Sequence, residues 1–139
     1  MIQKMNGCFI VTIFFLCFLW VSPPAGAAEF DGSMPLLCAF TKAMQSDPQG
    51  GCEQVLPEEV GLSTFVKIDF QKKTVTLPQP GSTRTTEIKS FERVDGKLIL
   101  MGSQVRAWSV IIGEKTGKMT LSVADEEDGF VLFGACIAP

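Results

Sequence analysis

The sequence predicts an all-β fold: a small antiparallel up-and-down barrel of about eight strands, with a β-sandwich as the alternative. Three observations predict it. From Arg84 to Cys136 short apolar segments follow one another, several with side chains alternating at period two. Polar turns divide them at Asp95-Gly96, Glu114-Lys115-Thr116-Gly117 and Asp125-Glu126-Glu127-Asp128-Gly129. No segment carries the longer period of an extended helix.

Glu29–Ser33 is a polar entry with a turn at Asp31-Gly32. Pro35–Met44 is read as a strand on the parity of Leu36, Cys38 and Phe40, although Ala39, Ala43 and Met44 would also suit a helix. Gln45–Leu62, rich in Pro, Gly and acid, reads as a long loop with one helical turn at Pro57–Val60, where proline is pre-set for a first helical position. Thr64–Phe70 alternates, with Val66, Ile68 and Phe70 on one side, and Thr74–Leu77 returns with Val75 and Leu77 inward. Pro78-Gln79-Pro80-Gly81 is expected to stop that strand, because proline donates nothing to a ladder.

Arg84–Val94 is the longest predicted strand. Ile88 and Phe91 differ in parity, which predicts a bulge near Lys89-Ser90. Asp95-Gly96 is the composition of a type I′ hairpin turn. Lys97–Met101 is apolar on both faces, and Gly102 allows a bend or a close backbone approach. Val105–Ile112 places Trp108, Val110 and Ile112 together, and Lys118–Ala124 places Met119, Leu121 and Val123 together. Phe130–Cys136 closes the chain as an apolar strand. The two strands that are apolar on both faces predict a cover on one outer face, assigned to the Gln45–Leu62 loop. Eight antiparallel strands closing in sequence, lipocalin-like in number, remove exposed edges and leave an interior filled by side chains or by one small ligand.

The first 28 residues read as a signal peptide, leaving residues 29–139 as a single domain. Lys4 provides the one charge of an n-region, Cys8–Val21 is the apolar run, Ser22-Pro23-Pro24 breaks it, and Ala25-Gly26-Ala27-Ala28 supplies the small residues of a cleavage site. The run is well short of the about 20 apolar residues of a spanning helix. Export to the periplasm or beyond is therefore expected, with no membrane attachment after cleavage. The full chain has a net charge of −3, which becomes −4 once a leader with one Lys and no acid is removed. No basic stripe suggests a nucleic-acid partner.

Removal of the leader leaves Cys38, Cys52 and Cys136 in an oxidising space, where pairing is expected. If the first and last strands are neighbours in a closed barrel, Cys38 and Cys136 lie on adjacent strands and a bridge there would pin the seam. Cys38–Cys52 is the competing pair. A catalytic cysteine needs a base to make thiolate, and the chain contains no His.

The absence of His and Tyr also removes a serine triad and ordinary zinc sites. No metal or other cofactor is expected. Glu58-Glu59 and the acids of Asp125–Asp128 read as solvated turns, since neither has the spaced oxygen ligands of a calcium loop. Lys72-Lys73 reads as a soluble turn. Trp108 is the candidate to line a ligand cavity, although an alternating strand more often puts such a residue in the core. Phe91 is a second candidate ligand contact, and Arg106 and Arg84 are candidates to orient an acidic ligand inside a barrel.

The motifs Phe30-Asp31-Gly32-Ser33, Leu36-Leu37-Cys38-Ala39, Ile68-Asp69-Phe70, Asp95–Leu100, Thr116–Met119 and Phe133-Gly134-Ala135-Cys136 resemble those of an uncharacterised group of exported proteobacterial proteins. The likeness covers essentially the whole mature region. It implies a Gram-negative periplasmic or secreted location and supplies no activity and no functional residues. Members of that group often carry one more cysteine at the place of Ser46, which implies a local bridge to Cys52 and a second from Cys38 to Cys136. Ser46 here removes the local partner and leaves Cys52 as the free thiol.

Three functions remain to be separated. The first is an exported, non-catalytic barrel that binds a small apolar ligand or a partner protein. The second is a structural or inhibitor-type protein-interaction module. The third, a carboxylate-based enzyme, requires two acids converging in a cleft.

Overall fold

A computed structural model describes residues 30–139 except Val105; the signal peptide read from the sequence lies outside the described residues. The fold is all-β. Its strands are β1 (Leu36–Ser46), β2 (Cys52–Val55), β3 (Phe65–Asp69), β4 (Thr74–Gln79), β5 (Ser82–Glu87), β6 (Ser90–Val94), β7 (Lys97–Gly102), β8 (Ala107–Gly113), β9 (Lys118–Ala124) and β10 (Gly129–Ile137). A short 3-10 helix occupies Pro57–Val60, where the helical turn was expected. No described helix is long and apolar enough to cross a membrane.

One antiparallel sheet runs β5-β4-β3-β1-β10-β9-β8-β7-β6 and curls on itself, so the sandwich alternative does not apply. Nine strands lie on this path, against about eight expected, and a tenth, β2, lies off it. The Gln45–Leu62 loop contains β2, which pairs with Ala43–Ser46 of β1, beyond the part of β1 that pairs with β3. The segment expected as one strand over Arg84–Val94 is two strands that take different partners. Ile88 N–H donates to Lys73 O and Lys89 N–H to Met101 O, both at 2.8 Å. The chain thus passes from the edge of β4 to the edge of β7 at the place where the parity change predicted a bulge. Burial of Ile88 anchors the crossing.

Hairpin chemistry fixes the register on either side. Asp95 and Gly96 both have positive φ, 50° and 72°, as a type I′ turn requires. The ladder β6–β7–β8–β9–β10 follows strictly in chain order. β1 closes it against β10, with Cys38 opposite Cys136. These two cysteines form a disulfide across 98 residues of chain. Loop-closure entropy over that length makes such a bridge worth about 2–5 kcal/mol. Cys52 is a free, exposed thiol on β2, so the competing Cys38–Cys52 pair is not formed.

A slip of register between Phe40 and Lys42 explains the mixed pattern of β1. Leu36, Cys38 and Phe40 face the interior on one parity, and Ala43 faces it on the other. The alanines that looked helical in the sequence sit around this bulge. β4 runs on through Pro78 to Gln79 rather than stopping at the proline.

Inward residues of neighbouring strands form one core. Ile68, Leu98, Leu100, Ile112 and Leu132 are fully buried, and burial of each stabilises the fold by about 2 kcal/mol. The expected cover on the outer face is missing: Val131 and Phe133 on β10, Ile111 on β8 and Met101 on β7 stay exposed. The Gln45–Leu62 segment follows the edge of β1 instead, because its exposed residues Cys52-Glu53-Gln54 form a ladder rather than a lid.

Candidate functional site

Strand order gives the two ends of the barrel different characters. The turns β3–β4, β6–β7 and β8–β9 gather at one end. There Phe30 N–H donates to Glu114 O at 3.0 Å, and Glu114 N–H donates to Gly96 O at 2.9 Å. A β-carbon at Gly117 would lie 2.6 Å from the Phe30 ring, so that ring seals the floor. Phe70 and Phe91 stack at a tilt with centroids 5.3 Å apart. Arg93 pairs with Glu114 on the same side.

The turns β4–β5, β7–β8 and β9–β10 gather at the other end with the 3-10 helix. Here the interior is hollow. A cavity of about 350 Å³ lies between Val66, Leu77, Val110, Leu121 and Phe130, and reaches solvent beside Gly61, Arg84 and Gln104. The opening follows from the crossing at Ile88-Lys89. Among the described pairings, β5 is hydrogen-bonded only to β4, so its other edge carries no ladder.

Polar groups mark the rim. The register pairs Leu77 with Arg84 and Val75 with Thr86, so Arg84 and Thr86 stand on the inward face of β5. Arg84 Nη2 donates to Gly61 O at 3.4 Å, and Gln79 Nε2 donates to the same carbonyl at 3.2 Å. Trp108 Nε1 donates to Thr86 Oγ1 at 3.3 Å, which ties β8 to β5 across the interior. Arg106 Nε lies 3.1 Å from Asp125 Oδ2, and Arg106 Nη1 lies 3.3 Å from Asp128 Oδ1. The guanidinium also lies 5.2 Å from the centroid of the Phe130 ring, a cation–π position.

Of the residues singled out from sequence, Trp108 and Arg106 line this cavity, and Arg84 joins them at the mouth. Phe91 does not line it. β6 begins after the crossing, so its ring falls at the sealed end against Phe70. Trp108 is half-buried rather than a core residue. Sequence reasoning missed Thr86, Gln104 and the Gly61-Leu62 rim. The parity of Thr86 with Ile88 was a usable signal for the first.

The two carboxylate pairs behave differently: Asp125 and Asp128 meet on one guanidinium, whereas Glu58 and Glu59 take separate partners. Asp125 and Asp128 serve Arg106. Glu59 Oε2 accepts from Leu56 N–H at 2.7 Å. Glu58 accepts from the Thr64 hydroxyl, and this hydrogen bond holds its carboxyl below the ordinary value. Among the described residues no three His, Cys, Asp or Glu are grouped to hold a metal ion. The chain matches no protein-family model, no curated protein and no solved structure.

Proposed function

We propose that this chain is an exported, non-catalytic binding protein that takes a small, largely apolar ligand into its barrel. The observation that carries the reading is the cavity of about 350 Å³ beside Trp108. Its volume is that of about a dozen liquid waters. It falls near the lower end of the roughly 300–1,000 Å³ range of small-molecule sites. Its walls are mostly aliphatic and aromatic, and a few polar groups stand at one rim. That combination suits a ligand whose body displaces poorly held water and whose end is oriented at the mouth. Export to the periplasm is supported by the Cys38–Cys136 disulfide, which persists in an oxidising compartment, and by the leader-like order of residues 1–28.

Tryptophan emission titrated with the apolar probe N-phenyl-naphthylamine tests the reading. Trp20 belongs to the leader, so Trp108 is the one tryptophan of residues 29–139 and reports on the cavity directly. Saturable quenching of its emission, with a matching rise in the probe's own emission, is expected. No saturable response, with the probe's own emission also unchanged, would overturn it.

A second reading, a protein-interaction module, is favoured by the outer apolar residues Met101, Ile111, Val131 and Phe133. It predicts a stoichiometric partner captured from periplasmic extract, and loss of that capture in Phe133→Lys.

A further inference from the structure

Two arginines stand at the cavity mouth, and their surroundings differ. Arg106 is already matched by two carboxylates and a ring face. Arg84 is not: among the described residues no carboxylate lies within ion-pair distance of it. It donates one long hydrogen bond, to Gly61 O, a carbonyl that Gln79 also serves. A guanidinium has five N–H donors in a planar fork, so most of its bonding capacity stays available. It stands on the same face as Leu77, with the apolar wall directly beside it. Two residues along, the Thr86 hydroxyl accepts from Trp108 and keeps its own hydrogen to donate.

We propose that the ligand of this cavity is an anionic amphiphile, a carboxylate on a short hydrocarbon chain, with its charged end held by Arg84. The proposal rests on reading the cavity as a ligand site. An arginine fork matches a carboxylate in geometry and charge, and the bond is charge-assisted. The aliphatic tail would lie along Val66, Leu77, Val110 and Leu121. Asp125 and Asp128 repel an anion from the Arg106 side of the mouth and favour its placement at Arg84. A neutral head group of the same length would leave the Arg84 charge without a partner.

Calorimetric titration of the full chain with octanoate and with octanol tests this, in the native protein and in Arg84→Gln. Octanoate is expected to bind about tenfold more weakly to the variant, a difference of about 1.4 kcal/mol. Octanol is expected to bind both proteins alike. Raising the salt concentration should weaken octanoate alone in the native protein, since the site is open to screening. Equal losses for octanoate and octanol in Arg84→Gln would overturn the assignment of the anion while leaving the cavity a ligand site. A native protein that binds neither compound would overturn both.

Discussion

The indole of Trp108 lies on the bare α-carbon of Gly102, its cross-strand partner between β7 and β8. A β-carbon at Gly102 would overlap the six-membered ring and Nε1 of that indole. Glycine is therefore required here by close approach, since the position has no left-handed φ to explain it. The same indole donates to Thr86 on β5, so Gly102 sets the position of a side chain that borders the cavity. Gly102→Ala is expected to push Trp108 out of its place and to cost about 1–3 kcal/mol, the range of an overpacked site. Tryptophan emission should shift to the red, and the urea midpoint should fall. An unchanged spectrum and midpoint would show that the indole does not rest on Gly102.

Ser46 and Cys52 face each other in the antiparallel β1–β2 pair. Directly opposed residues in such a ladder have α-carbons about 4.5–5.5 Å apart, within the span of a disulfide. Ser46→Cys should close a bridge to Cys52 under oxidising conditions. The closed loop is short, so the gain is at most about 2 kcal/mol. Alkylation followed by peptide mapping reads the result: Cys52 is labelled in the native chain and protected in the variant. Labelling of both cysteines in Ser46→Cys would mean that β2 does not hold this register.

The 3-10 helix is fastened to the start of β3 by the Thr64 hydroxyl, which donates to Glu58. The carboxyl of Glu58 is held below its ordinary value of 4.5, first by that hydrogen bond and next by its own backbone N–H. A lowered folded-state value means that this contribution to stability is complete above pH 4.5 and fades as pH falls through the folded-state value. Thr64→Val removes the donor. The Glu58 midpoint, followed by carboxyl-carbon NMR, should rise toward 4.5, and the stability deficit of the variant should shrink in acid. A midpoint that stays depressed in Thr64→Val would assign the shift to the backbone alone. The neighbouring residues Gly61 and Leu62 border the cavity, so loosening this helix should also weaken probe binding.

Much of this architecture was legible because it rests on short-range chemistry. Alternation in Lys118–Ala124 and the Asp95-Gly96 turn each report a backbone geometry directly. Cys38 and Cys136 fall on adjacent strands only if the first and last strands are neighbours, a condition that the β1–β10 ladder meets and that decides against Cys38–Cys52. What was hidden depends on which edge meets which. β2 has four exposed or half-exposed residues and no apolar alternation, so its ladder with β1 left no periodic trace. Phe91 and Thr86 lie in one continuous stretch, yet the crossing at Ile88-Lys89 sends the first to the sealed end and the second to the mouth. Trp108 and Arg106 could be nominated from sequence, but their neighbours around the cavity come from seven strands, the 60–62 rim and Gln104.

The division of the interior into a packed part and a hollow part can be measured with two leucines. Leu100 is fully buried and lies outside the cavity lining, whereas Leu77 is buried and forms part of it. Truncating a leucine in close packing removes its transfer energy and also leaves a new void, for a total cost of about 2–5 kcal/mol. At Leu77 the space beside the side chain already exists, so truncation enlarges it and the void penalty is smaller. Leu100→Ala should therefore cost at least about 1 kcal/mol more than Leu77→Ala by urea denaturation. Octanoate titration should respond in the opposite order, since only Leu77 borders the space the tail would enter. Equal stability losses at the two positions, together with unchanged octanoate binding in Leu77→Ala, would mean that the barrel is packed throughout and holds no ligand beside β4.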